Sequence, residues 1–303
     1  LSTVAQYSFR INKRCIVMPN LETPVSTSML AKNYKDEIKK TFTNKSFTPL
    51  IPCYLTDNLD IKDFEYSLKN NIFFNAKLYP SNVTTNSKYG VSKLEKIYPA
   101  LEILQKMDKY LLVHGEKLGQ EIDIFDRERF FIDEELVKIR KNFPNLKIVL
   151  EHVSSKYGAD FVAENELIAA TITPQHMLLT KKDVFFKDGI NSHNYCMPIV
   201  KEEKDLIALR KYACSGNKKF FLGTDSAPHP LKDKNSNYSS KPGIFSAPCS
   251  IELYAEIFDQ ENSISKLENF SSINGPNFYN LPINKSKIKL LKQKWKADEF
   301  AIK

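Results

Sequence analysis

Two histidines in this 303-residue chain close apolar runs of strand character: His114 ends YLLVH and His152 ends KIVLEH. Alone, each would more often be a hydrogen-bonded polar side chain than a ligand. On successive strands the two imidazoles can meet at one rim and share a divalent metal ion. Asp225 closes a third run, FFLGTD, and its carboxylate can cap the next helix, or ligate a metal and take a proton from water. Asn20, at the end of IVMPN, can orient a substrate carboxylate or shape a turn. Lys77 sits inside FFNAKLYP, a run that otherwise reads as a buried strand. Its residue type leaves three fates open: snorkelling to the surface, a Schiff-base nucleophile, or, once burial and nearby cations lower its pKa, reaction of the neutral amine with carbon dioxide. The resulting carbamate is anionic and carboxylate-like, and can bridge two cations about 3.5–4 Å apart.

Such groups need a frame. Short β-branched runs alternate with segments of helical period: RCIVMPN then SMLAKNYKDEIKKTF, FTPLIPCYLT then DIKDFEYSLKNN, FFNAKLYP then KLEKIYPALEILQKMD. The order continues through YLLVHGE, DRERFFIDEELVKIRKNF, LKIVLEHV, KYGADFVAEN, LIAATITPQ, EEKDLIALRKYAC and KKFFLGTDSAPH. Repeated βα order predicts an α/β fold with a parallel sheet covered by helices. The number of units favours a (β/α)8 TIM barrel over a doubly wound sheet, and no GxGxxG fingerprint supports the latter. In the third helical segment Leu94, Ile97, Tyr98, Leu101 and Leu104 share one face by spacing, while Pro99 predicts that this helix starts near Lys96 or kinks. The polar stretch Leu231 to Gly243 reads as an excursion from the frame.

Composition narrows the function classes. With 42% hydrophobic and 12% aromatic residues, a large core is within reach. No apolar run is long enough to span a bilayer, and the first residues lack the order of a secretory signal. Five scattered cysteines, an odd number without a CxxC pair, fit reduced, buried thiols in the cytoplasm. The net charge of +8 comes from lysines spread along helices, which predicts a solvated surface that attracts small anions and disfavours nucleic acid as a partner.

The strings IVMPN, AKLYPSNVTTN, LLVHGE, EHVSSK, ATITPQH, YCMPI, FLGTDSAPH and FSAP, in that order, closely resemble the short, monofunctional bacterial-type dihydroorotases of the amidohydrolase superfamily. The likeness runs to about SINGPNFYNLP. It implies a zinc-dependent barrel that interconverts N-carbamoyl-L-aspartate and L-dihydroorotate in pyrimidine synthesis, and a homodimer. By position it makes Lys77 the carboxylated lysine bridging two zinc ions, with His114 and His152 ligands of one and Asp225 a ligand of the other. Asp225 is then also the general base, and Asn20 and His229 hold the substrate's carboxylates. His114 and the backbones of Met197 and Ala247 complete the pocket. Thr84 and Thr85 fall on a mobile loop that closes over the substrate. His176 and His193 receive no role beyond structural hydrogen bonding.

One departure from the family pattern matters. Its first strand carries D-x-H-x-H and a nearby arginine, and neither occurs in residues 1–303, which otherwise read as one barrel domain. The ending KWKADEFAIK also looks shorter than the family's tail. Loss of a barrel's first strand would open an edge and a gap in the core, so the expectation is that this strand exists outside the sequence. The alternatives are another cyclic amidohydrolase, of hydantoinase or allantoinase type, and a metal-free barrel serving as a scaffold.

Overall fold

The computed structural model describes residues 2–42, 47–187, 189–235 and 240–294. Within the Leu231 to Gly243 excursion, residues 236–239 lie outside the described residues, as does all but the first residue of KWKADEFAIK. Two compact units divide the chain: Leu1–Glu151 with Glu164–Ala169, and His152–Ala163 with Ala170–Lys303. No helix among the described residues is long and apolar enough to cross a membrane.

The first unit opens with α1 (Ser2–Ile11), β1 (Arg14–Ile16), α2 (Ser28–Lys40), β2 (Thr48–Leu50) and β3 (Cys53–Tyr54). It continues through α3 (Ile61–Lys69), β4 (Ala76–Leu78), α4 (Tyr98–Lys106), β5 (Tyr110–His114), α5 (Arg127–Phe131), α6 (Val137–Asn142) and β6 (Lys147–Glu151). Capping residues set the helix starts. The Thr27 hydroxyl accepts from Leu30 N at 3.3 Å ahead of α2, and Asp60 accepts from the N–H groups of Lys62 and Asp63 at 2.9 and 3.1 Å ahead of α3. These bonds satisfy donors that the first helical turn leaves open. Pro99 behaves as its chemistry requires: a 3-10 turn, Leu94–Ile97, precedes α4, and the proline occupies the first turn of the helix, where no N–H is needed.

β1 pairs parallel with β2, and β3, β4, β5 and β6 pair parallel in sequence order. The register places Tyr54 beside Lys77, Lys77 beside Leu112, Leu112 beside Val149, and His114 beside Glu151. Because strand side chains alternate faces with period two, Tyr54, Lys77, Leu112, His114, Val149 and Glu151 all point to one side. That single face gathers Lys77, His114 and Glu151.

α7 (Lys156–Glu164) and β7 (Ile168–Ile172) follow at the boundary between the units. The second unit then carries α8 (Pro174–Leu178), α9 (Lys181–Val184), a hairpin of β8 (Phe185–Phe186) and β9 (Gly189–Ile190), and α10 (Glu203–Cys214). After these come β10 (Phe220–Leu222), α11 (Leu231–Lys234), α12 (Ser250–Gln260) and α13 (Asn274–Phe278). β10 runs parallel to β7 with Phe220 opposite Ala170 and Leu222 opposite Ile172. Just past β10 the chain passes so near β7 that a Cβ on Gly223 would lie 2.5 Å from the Thr171 Cβ, so only glycine fits there. The fully buried Tyr254 of α12 donates its hydroxyl to Ile172 O at 2.7 Å, fixing the end of β7.

Cys53, Cys196 and Cys214 are buried and Cys15 and Cys249 half-buried, all as free thiols. Burial pushes the Cys15 thiol up to about 12 and the Cys53 thiol higher than its usual range, so both stay protonated.

Candidate functional site

Lys77 is 1% exposed, which removes the snorkelling reading. Its ammonium meets the Glu151 carboxylate and lies 4.9 Å from the centroid of the Tyr79 ring. A buried ammonium without a counter-charge would be strongly disfavoured, and Glu151 supplies that charge from two strands away on the same face. Tyr79 stacks on Tyr54 with centroids 5.2 Å apart and comes within 6.1 Å of the His114 ring.

His114, the last residue of β5, is 2% exposed, and its Nε2 lies 2.7 Å from Oε2 of Glu116, which is wholly buried. The other oxygen, Oε1, is buried with no hydrogen-bond partner among the described residues. A carboxylate held on one imidazole nitrogen fixes the orientation of the ring. If His114 is a zinc ligand, Glu116→Gln should weaken zinc binding about tenfold and Glu116→Ala about 100-fold, read by competition with a chromophoric chelator. A carboxylate that merely packs would lower the melting temperature and leave zinc affinity unchanged.

Asn20 and the threonine loop touch. The Asn20 amide Nδ2 donates to Thr85 O at 3.2 Å, and the Asn86 amide Nδ2 donates back to Asn20 O at 2.9 Å. Within the loop, Thr84 N donates to Ser87 Oγ at 2.9 Å, while that hydroxyl donates to Thr84 O at 2.6 Å.

In the second unit His152 follows β6 at φ 45°, a left-handed conformation uncommon outside glycine, and its N–H donates to Thr171 Oγ1 at 2.7 Å. Asp225 also adopts positive φ, 41°, three residues beyond the end of β10 rather than at the strand terminus. It is not a helix cap: α11 starts at Leu231 behind Pro230. The backbone on either side of Asp225 is pinned. Thr224 O accepts from Gln175 Nε2 and Ser246 Oγ, both at 3.2 Å, and Ala227 N donates to Ile244 O at 2.9 Å. Ser226 Oγ accepts the Ala247 N–H at 3.0 Å, so that amide is engaged within the protein. His229 Nε2 donates to Pro242 O at 3.0 Å, and burial holds its pKa below the usual histidine range. Met197 precedes Pro198 across a cis peptide bond.

His176 is structural, as expected. Its Nδ1 lies 2.7 Å from Thr173 Oγ1 and its Nε2 2.9 Å from Pro198 O. Burial lowers its pKa from 6.5 to about 4. Unfolding frees it to bind a proton below pH 6.5 that the folded chain refuses until about pH 4, so stability falls as pH drops through that window. The unfolding free energy from urea titrations should fall by on the order of 3 kcal/mol across that window, and His176→Gln should flatten that part of the profile. His193 is exposed in a 3-10 turn, with its N–H donating to Asn191 Oδ1 at 3.2 Å.

No group of three or more His, Cys, Asp or Glu side chains arranged for a metal occurs among the described residues. Taken unit by unit, the side chains are of kinds that zinc accepts: an imidazole, His114, and the buried amine Lys77 in the first, and an imidazole, His152, and a carboxylate, Asp225, in the second. Glu116, Glu151 and Tyr54 are the residues that sequence reading passed over. A carboxylate inside KIVLEH was a visible signal, by the same reasoning that singled out Lys77.

A model of the amidohydrolase family matches residues 17–295. The dihydroorotase of Buchnera aphidicola subsp. Acyrthosiphon pisum (strain Tuc7) is 43% identical over 296 residues, covering 97% of this chain and 84% of that relative. The dihydroorotase of Yersinia enterocolitica is 44% identical over 301 residues, covering 99% and 86% respectively. Among solved structures, the dihydroorotase of Campylobacter jejuni matches with a TM-score of 0.84 at 37% identity, covering 94% of this chain and 80% of that one.

Proposed function

The chain belongs to the amidohydrolase family and, within it, to the dihydroorotases, with the family's α/β fold of (β/α)8 barrel type, and on that premise we propose how its residues act. It interconverts N-carbamoyl-L-aspartate and L-dihydroorotate, in the cytoplasm and as a homodimer, at a site that takes two zinc ions. The observation that carries this reading is Lys77: a lysine 1% exposed on the strand face that also bears His114.

Carboxylated Lys77, His114, His152 and Asp225 would hold the zinc. When bound, the metal supplies Lewis acidity, which polarises the ring amide carbonyl and makes water nucleophilic near neutral pH. The remaining work falls to the protein. An Asp225 oxygen accepts the proton that water gives up as the ring C–N bond breaks, and delivers it to the departing nitrogen; ring closure runs the same transfer backwards. Asn20 Nδ2 offers a donor to a substrate carboxylate. His229 has Nε2 committed to Pro242 O, so it meets a carboxylate through Nδ1–H, and binding draws a proton onto the ring. Thr84 and Thr85 close over the substrate and exclude bulk water.

The test is turnover by the purified protein. It should open dihydroorotate and cyclise carbamoyl aspartate, leave hydantoin and allantoin essentially untouched, and contain two equivalents of zinc. Turnover of hydantoin alone would assign another cyclic amidohydrolase. A folded protein with neither zinc nor turnover after metal-replete purification would favour the scaffold, and sedimentation equilibrium checks the dimer.

A further inference from the structure

The threonine loop is internally stapled and is also tied by hydrogen bonds to Asn20 and Tyr54 of its unit. Asn82 and Asn86 sit at φ 62° and 56°, left-handed positions that asparagine tolerates, and Ser87 Oγ clips Thr84 from both sides. Outward ties among the described residues include the paired amides of Asn20 and Asn86, and a phenol: Tyr54, at the end of β3, donates its hydroxyl to Asn86 O at 3.1 Å. Tyr54 is fully buried and stacked on Tyr79, and its backbone is fixed by Tyr54 N donating to Val25 O at 2.9 Å. Burial pushes its phenol well above the usual range, so it remains a donor. The same residue is the register partner of Lys77. Meanwhile Thr85 Oγ1 is buried and has no hydrogen-bond partner among the described residues, a state that a ligand's polar atom would relieve.

We propose that Tyr54 is a positioning residue: its hydroxyl, with the Asn20–Asn86 amide pair, holds the loop so that Thr85 Oγ1 is set for the substrate. The inference rests on the reading of Thr84 and Thr85 as substrate contacts. The half-buried bond from the phenol to a carbonyl ties the loop to the strand that flanks Lys77, and losing it loosens the loop without disturbing the stacked rings.

Tyr54→Phe keeps the ring and removes the hydroxyl, and Asn86→Gly keeps the left-handed backbone and removes the amide. Tyr54→Phe should raise the KM for dihydroorotate about tenfold, the upper end for one half-buried hydrogen bond, and Asn86→Gly, which loses an exposed one, about threefold, while kcat moves by less than about threefold in both. Hydrogen exchange of peptides spanning residues 82–90 should speed up in the ligand-free variants, a readout independent of catalysis. Wild-type exchange in Tyr54→Phe would overturn the proposal, leaving the phenol a packing group. Faster exchange with unchanged KM would overturn it too, since the loop would then be loosened without effect on substrate. If the wild-type protein turned over no dihydroorotate, the function reading alone would fall. The exchange comparison would still decide whether Tyr54 holds the loop.

Discussion

Lys77→Arg should abolish turnover, by a factor of at least about 10³, in a protein that still folds. Arginine retains a cation opposite Glu151, so the buried ion pair survives in charge. A guanidinium stays protonated and cannot capture carbon dioxide. The variant thus separates the two roles open to this side chain, counter-ion of Glu151 and precursor of an anionic metal ligand. Truncation would confound them, because removing the cation strands a buried carboxylate at about 3–5 kcal/mol. For that reason the companion variant is Lys77→Met with Glu151→Gln, which deletes both charges together. Zinc content should fall with turnover in both proteins, while the wild-type chain supplied with 13C-bicarbonate shows a carbamate carbon signal that both variants lack. Turnover above about a tenth of wild type in Lys77→Arg would sink the carboxylated-lysine reading, since a loss of only tenfold is about 1.4 kcal/mol and too small for a lost metal bridge.

The frame for this chemistry was legible in the sequence because it rests on local signals. Alternating β-branched runs and helical periods fix the order of elements, and each quoted run that reads as a strand contains one in the structure. Proline placed one helix start, at Pro99 in α4. The partners of the chemical groups were hidden because they are set by register across strands. Glu151 lies 74 positions from Lys77, and only the β4–β5–β6 alignment puts the two carbon stems on one face. Glu116 is near His114 in sequence, yet it sits past the end of β5, where alternation no longer tells which way a side chain turns. Tyr54 reads as core from its neighbours and is core; its hydroxyl's partner is a backbone carbonyl on a loop, which leaves no mark on residue type. Helix α12 escaped notice although Ile251, Tyr254, Ile257 and Phe258 carry the right spacing, because no strand-like run follows it to complete the βα alternation.

The second large effect concerns Asp225. Asp225→Asn should lower kcat by about 10²–10⁴, the range over which a positioned acid–base group contributes. Asparagine is the right probe because the residue stands at φ 41°. Asp and Asn share a tolerance for the left-handed region, so the pinned backbone between Thr224 and Ala227 is retained, whereas alanine would add strain of its own. The amide can accept no proton at neutral pH, yet it preserves the shape of the side chain. Because the equilibrium constant between carbamoyl aspartate and dihydroorotate does not depend on the protein, kcat/KM in the two directions must fall by the same factor. Dihydroorotate opening followed by ultraviolet absorbance or by chromatography, and carbamoyl aspartate closing followed in the same samples, provide that check. An Asn variant within tenfold of wild type in both directions would mean that another group carries the proton. Zinc content measured on the same protein then tells lost proton transfer from lost metal: a fall in kcat with both zinc equivalents retained isolates the role of the carboxylate as base.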